Sequence, residues 1–366
     1  MTKRTKKSRA KKTSTISNVD RPNVQGQMNN VFVSLSPAKP TVVFDTFWRF
    51  AAERQRIFFA RLHGETSPWT RDPILRTYKF TNAYRASDRT SQYLIRHVIY
   101  DGPKEPQEVF FRIVLFKLFN KIETWELLKN KLGEVRWSTY RYRDYDRVLS
   151  QALVSGARIY SAAYIMASGH KIFGVTRKHQ SHLRLIELLL SDSVPEQLME
   201  CRKMRQGFEL LRSYPLFGDF LAYQLITDLN YSELVNFSET EFTMPGPGAR
   251  VGIRKCFASL GGLSEVDIIQ LMAERQAYEF ERLGIEFRSL WGRELQLIDI
   301  QNLFCEVDKY SRVKHPSISG MSGRTRIKQK FMENSSLISY FYPPKWKLAM
   351  TESCKNTNQL PQAILF

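Results

Sequence analysis

Two carboxylates, a run of glycines and three cations make the segment NFSETEFTMPGPGARVGIRKCF the richest in chemistry. Glu239 and Glu241 precede Pro245-Gly246-Pro247-Gly248, and Arg250, Arg254 and Lys255 follow at helical spacing. A glycine-exposed backbone that enters a helix with cations on its first turns can hold a phosphate or pyrophosphate, here through Gly246, Gly248 and the three cations. A glutamate beside it can take a proton from an incoming nucleophile. The sequence GK[ST] occurs nowhere in the chain, so a P-loop kinase is disfavoured. The plainer alternative is a loop leading into a solvated basic helix.

Two further stretches carry reactive side chains. In PWTRDPILRTYKFTNAYRASDRTSQYLIR, Asn82, Arg85, Asp88 and Arg89 follow at offsets of three, three and one, beside Tyr78, Phe80 and Tyr84. Arginines interleaved with aromatics suit a stacked base and its phosphate. The same pattern suits a buried Arg–Asp pair under a core. In LQLIDIQNLFCEVDKYSRV, Leu295, Ile298, Asn302, Cys305 and Lys309 share one helical face and Glu306 lies beside Tyr310. Cys305, Glu306 and Lys309 would supply nucleophile, base and anion clamp. Alternatively Cys305 is core and Glu306 pairs with Lys309 or Arg312.

The elements that must position these groups read as helices. Asp45 is a plausible N-cap, and Phe47, Phe50, Ala51, Arg54, Ile57, Phe58, Arg61 and Leu62 recur at three-and-four spacing before Gly64. Similar spacing predicts helices over 89–100, 107–120, 123–131, 144–167, 180–190, 195–213, 218–229, 264–283 and 295–312. Period-two alternation is scarce, so the fold class is mostly α. Residues 1–42 are polar and form an expected disordered basic arm; 43–346 form the helical domain, with lobes at 43–190 and 191–315; 347–366 are an expected disordered tail.

Composition bounds the partners. The chain has 366 residues, 43% hydrophobic and 13% aromatic, and a net charge of +19. Lys3, Arg4, Lys6, Lys7, Arg9, Lys11 and Lys12 supply seven of these charges without an acid, which leaves +12 on the rest. A polyanion is therefore the first partner to consider. Cys201, Cys256, Cys305 and Cys354 lie about 50 residues apart with no CxxC, so no metal site and no cofactor is expected. The reading is a reduced intracellular protein with no membrane span, nuclear if the source is eukaryotic, since KRTKKSRAKK can act as a nuclear signal.

Leu211, Tyr214, Pro215, Gly218, Ala222 and Leu225 give L-x-x-h-P-x-h-G-x-x-x-A-x-x-h, which resembles the helix-hairpin-helix element of DNA glycosylases. There, Gly218 and the following helix's amides would meet a DNA phosphate. Leu216 replaces that element's usual first glycine, and Asp219 places a carboxylate at the next helix; an ordinary αα-hairpin is the alternative. That family's essential acid, counted from Gly218, falls at Ser238, close to Glu239 and Glu241, and either could take the role. No Lys lies between Leu211 and Asn230, which argues against a lyase.

FWRFAAERQRIFF, PWTRDPILRTYKFTNAYRASDR, FFRIVLFKLFNKIETWELL, GDFLAYQLITDLNYS, PGPGAR-x-GIRKCF and CEVDKY, in this order over residues 44–346, resemble the helical domain of 5-hydroxymethyluridine DNA kinases. They are also similar to the alpha-glutamyl/putrescinyl thymine pyrophosphorylases of phage thymine hypermodification. The resemblance implies a helical, DNA-glycosylase-like fold acting on a modified thymine in DNA, where pyrophosphate leaves the base and an amine is attached. It implies DNA, an amine or amino acid, and a partner DNA kinase as partners. Under it Arg250, Arg254 and Lys255 would meet pyrophosphate, and Glu239, Glu241 or Glu306 would be the base; Asn82 would meet the pyrimidine edge, and Tyr84, Phe80 or Tyr223 its face. A DNA glycosylase and a non-enzymatic DNA- or RNA-binding protein remain the alternatives.

Overall fold

The computed structural model describes residues 37–162, 166–318, 320, 323–333 and 339–350. Residues 1–36 of the expected arm and 351–366 of the expected tail lie outside the described residues. The described chain begins with a short strand, β1 (Lys39–Pro40), antiparallel to β2 (Phe257–Ser259). All other regular structure among the described residues is helical.

The helices are α1 (Val42–Leu62), α2 (Pro73–Thr77), α3 (Arg89–Tyr93), α4 (Pro106–Phe119), α5 (Ile122–Leu132), α6 (Tyr142–Val154), α7 (His170–Phe173) and α8 (Lys178–Ser191). They continue as α9 (Val194–Glu200), α10 (Met204–Arg212), α11 (Asp219–Leu229), α12 (Pro247–Cys256), α13 (Glu265–Glu274), α14 (Gln276–Arg282) and α15 (Leu297–Lys314). Arg85–Ser87 and Pro344–Trp346 are single 3₁₀ turns, and Leu94–Ile99 extends α3 as a π-helix.

Local chemistry sets the ends. The Thr41 hydroxyl caps α1 by accepting from the Val43 amide at 3.1 Å, so this helix starts ahead of the expected Asp45 cap. Asp72 caps α2 by accepting from the Ile74 and Leu75 amides at 2.7 and 3.1 Å, with Pro73 at the first helical position. Three expected helices are shorter or divided, one of them 264–283, which parts at Arg275 into α13 and α14. The spacing over 144–167 predicts one helix, but α6 stops at Val154, before Gly156 at φ 82°. The spacing over 195–213 predicts another, but the Gln206 side chain accepts from the Arg202 and Lys203 amides, breaking it into α9 and α10.

Helix α4 forms the centre of one part of the core, with Phe110, Phe111, Ile113, Val114 and Leu115 fully buried. In another part α1 meets α15 and α14, through Phe47 on Phe304 (ring centroids 4.7 Å apart) and Trp48 on Phe280 (5.1 Å). Helices α12 and α15 pack so closely that a Cβ added to Gly252 would lie 2.0 Å from the Phe304 carbonyl oxygen. Only glycine fits there. Helices α10 and α11 form a hairpin through residues 213–218. Its left-handed position falls on Leu216, at φ 70°, the site that the resemblance fills with glycine.

Candidate active site

Segment 80–88, α1, α11 and α15 bring together groups far apart in the chain. The segment is not the helix its spacing suggests; it is extended up to the 3₁₀ turn at Arg85. It is fastened to α15 at two points. The Thr81 amide donates to Glu306 Oε2 at 3.0 Å, and the Arg85 amide donates to Asp299 Oδ1 at 2.7 Å. Arg54 of α1 donates to the Thr81 carbonyl at 2.8 Å and to Asn82 Oδ1 at 3.1 Å. Asn82 in turn donates from its amide nitrogen Nδ2 to the Ser87 carbonyl at 2.7 Å.

Asp88 is the chemically unusual member of this group. It is half-buried, and one oxygen accepts from the Asn82 backbone amide at 2.8 Å. Burial raises its carboxyl to about 7 against the pull of that amide; nearby Glu306 raises it further, while Arg54 and Arg85 draw it down. Glu306 itself pairs with Lys309 at 2.7 Å, and the Lys309 ammonium lies 4.6 Å from the Phe80 ring centre. Two neighbouring carboxylates in unlike settings are the arrangement that separates an acid from a base.

A second charged cluster lies among α4, α11 and the same segment, and it is sealed. Asp228 holds Arg85 and Lys117, each at 2.7 Å, with every side chain no more than 4% exposed. Arg85 also donates to Gln224 at 3.2 Å and to the Tyr231 hydroxyl at 2.9 Å. Burial pushes the Asp228 carboxyl up, but its two cations outweigh that and hold it below the ordinary value. Lys117 is brought down to about 8 by burial.

The remaining expected site residues divide. Glu239 pairs with Arg293 at 2.7 Å, and that guanidinium lies 3.8 Å over Trp346. Glu241 and Arg89 are exposed. Arg250 is exposed and donates to the Pro245 carbonyl at 3.3 Å, while Arg254 pairs with Glu265 at 2.8 Å.

Several expected roles conflict with the placement. Lys255 is 1% exposed and tied to Asp308 at 2.9 Å, so it faces the interior rather than a phosphate. Gly246 is a packing glycine, since a Cβ there would meet the Phe220 ring at 2.6 Å; at Gly248 it would meet Cys305 Sγ at 3.0 Å. Cys305 has its thiol pushed up to about 12 by burial, so it stays protonated and a poor nucleophile. Tyr84 is 1% exposed, with its hydroxyl between the Leu290 amide and the Arg293 carbonyl, and Tyr223 and Arg85 are equally interior. None of these three faces a base. Gly218 stands just before α11 with open space around it, and Asp219 pairs back to Arg212.

Arg54, which the sequence places only in a helical repeat, and Lys117, Asp228 and Asp299 are not singled out as site residues in the sequence. Their signal was a charge inside an apolar pattern: Arg54 among Phe50, Ala51, Ile57 and Phe58, and Lys117 within FFRIVLFKLF. Asp299 is buried and raised to about 6 by burial, but both its oxygens are engaged, by the Arg85 amide at 2.7 Å and the Gln296 amide at 3.0 Å. Among the described residues no cluster of three or more His, Cys, Asp and Glu could hold a metal, and no helix is long and apolar enough to cross a membrane.

No solved structure matches the chain. Over 303 residues it is 26% identical to a protein named 5-hmdU DNA kinase from Bacillus phage SP10, a match covering 77% of this chain and 47% of that protein. The chain thus spans about half the length of the curated relative it matches. The family described as 5-hmdU DNA kinase, helical domain, matches residues 41–320. By that match over most of its length, the chain belongs to the 5-hmdU DNA kinase helical-domain family.

Proposed function

We propose that the chain is a DNA base-modifying enzyme acting on a thymine-derived base, 5-hydroxymethyluracil or its activated form, with Asp88 as proton acceptor. The observation that carries this reading is the half-buried Asp88 carboxyl, raised to about 7, bonded to the Asn82 amide and within the fields of Glu306 and Arg54. A carboxylate so tuned is ionised near neutral pH and basic enough to take a proton from a nucleophile. The similarity to a protein named for 5-hmdU supplies the substrate class.

In the finer form of the proposal the leaving group is pyrophosphate. The amine nitrogen bonds to the exocyclic methylene carbon, the carbon–oxygen bond to pyrophosphate breaks with its electron pair on oxygen, and the amine's proton passes to Asp88. Positive charge at Arg54 and Lys309 favours the departing anion. The target base must leave the stack to reach such a site. A helix-hairpin-helix contact through the α10–α11 turn remains part of this reading, with Leu216 in place of glycine.

The test is mass spectrometry of nucleosides from DNA incubated with the protein. The substrates carry thymine, 5-hydroxymethyluracil or its pyrophosphorylated form, with and without amines and ATP. A new amine-bearing nucleoside with released pyrophosphate, lost in Asp88→Asn, supports the proposal. Free base with abasic sites means a glycosylase instead. A phosphorylated nucleoside made with ATP assigns the relative's named activity to this chain. Unchanged DNA in every mixture overturns the enzyme reading.

A further inference from the structure

The stretch GRTRIKQKF, residues 323–331, pairs at its end with the segment that leads into the site. The Lys79 amide donates to the Gln329 carbonyl at 3.0 Å, the Phe331 amide donates to the Thr77 carbonyl at 2.9 Å, and Tyr78 and Lys330 form an antiparallel bridge. Arg312 of α15 donates to the Arg326 carbonyl at 3.2 Å. Ile327 is buried and anchors the stretch, and Phe331 meets Trp69 edge-on with ring centroids 6.4 Å apart.

Arg324, Arg326, Lys328 and Lys330 alternate with these and with neutral residues, and all four are exposed. They stand at every second position on either side of the buried Ile327, and the bridge sets Lys330 opposite Tyr78. Arg71, Arg76 and Lys79, on and beside α2, are exposed as well. Among the described residues none of the seven forms an ion pair, and residues 323–332 contain no carboxylate. Several exposed cations without carboxylate partners, on a stretch that backbone bonds tie down, suit a polyanion better than a small ligand, which would need convergent donors. Lys79 is next to Phe80, where the Asp88–Glu306 segment begins.

We infer that this basic strap, with Arg71, Arg76 and Lys79, is a docking surface for the phosphate backbone of DNA that brings a nucleotide to the Asp88–Glu306 site. The inference rests on the proposed action on DNA. It gives the strand a second holding point besides the α10–α11 turn, outside the glycine loop.

The experiment measures binding of the full chain to a labelled DNA duplex across a salt series, together with thermal unfolding. The probe variant is Arg324→Gln/Arg326→Gln/Lys328→Gln/Lys330→Gln. A charge-matched control changes Lys131, Arg141, Arg143 and Arg202, all exposed, to Gln. Neutralising a cation that sits on a phosphate lowers the slope of log K against log salt by about 0.9. The strap variant is expected to show a slope smaller by about 3 to 4, with an unchanged unfolding midpoint, while the control changes much less. Equal reductions in both variants, or an unchanged slope in the strap variant, overturn the inference and leave action on DNA standing. Absence of DNA binding by the unaltered chain overturns both. Tighter strap-dependent binding to phosphatidylserine vesicles than to DNA overturns DNA as the partner.

Discussion

The Asp228 cluster and the Asp88 cluster use the same residue types, share the segment that carries Arg85 and Asp88, and come out with opposite properties. Around Asp228 one carboxylate faces two cations in a sealed interior, and the fold holds it ionised. Around Asp88 a carboxyl is half-covered, has one oxygen bonded to a backbone amide, and sits beside another carboxylate, so its proton is held to about 7. The first arrangement uses charge to fix Arg85 and thereby the segment. The second leaves a proton-accepting group at the segment's far end. Charge alone therefore does not mark a site; incomplete pairing beside partial exposure does.

The sharpest way to break this contrast is Asp228→Ala, which strands Arg85 and Lys117 in the interior. It is expected to cost about 3 to 5 kcal/mol in denaturant unfolding, and a loss below about 1 kcal/mol would make the sealed cluster dispensable. The sign with pH follows from the lowered Asp228 carboxyl. Its contribution is present above the ordinary aspartate value and fades as pH falls through the lowered one.

Asp88→Asn should do the reverse, lowering turnover by about 10²- to 10⁴-fold with folding intact. Asp88 binds its proton more tightly in the fold than in the unfolded chain. Stability from this group is therefore present at acid pH and declines as pH rises from about 4 towards the folded value of about 7. Unfolding midpoints measured across that range should show the decline in the parent and its loss in the variant. In the parent, activity should rise through the same value.

Glu306→Gln should sharpen the contrast more gently. Removing the neighbouring negative charge lets Asp88 ionise more readily, so the acid limb of the pH–rate profile moves to lower pH. A limb that stays in place would separate Glu306 from Asp88. The smallest expected effect is Cys305→Ser, which should leave turnover unchanged because the thiol is protonated at neutral pH; a large loss of turnover with folding retained would restore a chemical role for Cys305.

Much of the fold was legible because amphipathic spacing reports burial directly. The helices α1, α4, α5, α8, α11 and α15 lie close to where periodicity puts them. The missed breaks depended on single polar side chains, such as Gln206 folding back on two amides, which no pattern of apolar residues records. In the candidate site, residue type singled out Asn82 and Asp88 in one motif and Glu306 and Lys309 in another, and only the fold sets the two side by side. Residue type gave Arg85 to the first of these, whereas Asp228, more than a hundred residues away, takes that arginine. Pairings made across such separations depend on packing, and single-chain spacing carries no trace of them. The glycines of PGPGAR misled for a related reason: a small residue demanded by a neighbouring ring or sulfur looks the same in sequence as one that exposes backbone to a ligand.

The close approach at Gly252 bears on how the site can move. Any side chain at 252 would push the Phe304 backbone away, so the seating of α15 on α12, and with it the placement of Glu306 and Lys309, depends on that glycine. Under the proposed action on DNA, the opening for a nucleotide falls to the 78–88 segment, held to α15 through the Thr81 and Arg85 amides. Hydrogen exchange should report this as a division of timescales, slow for amides over 303–307 and faster at Thr81 than along the helix it leans on.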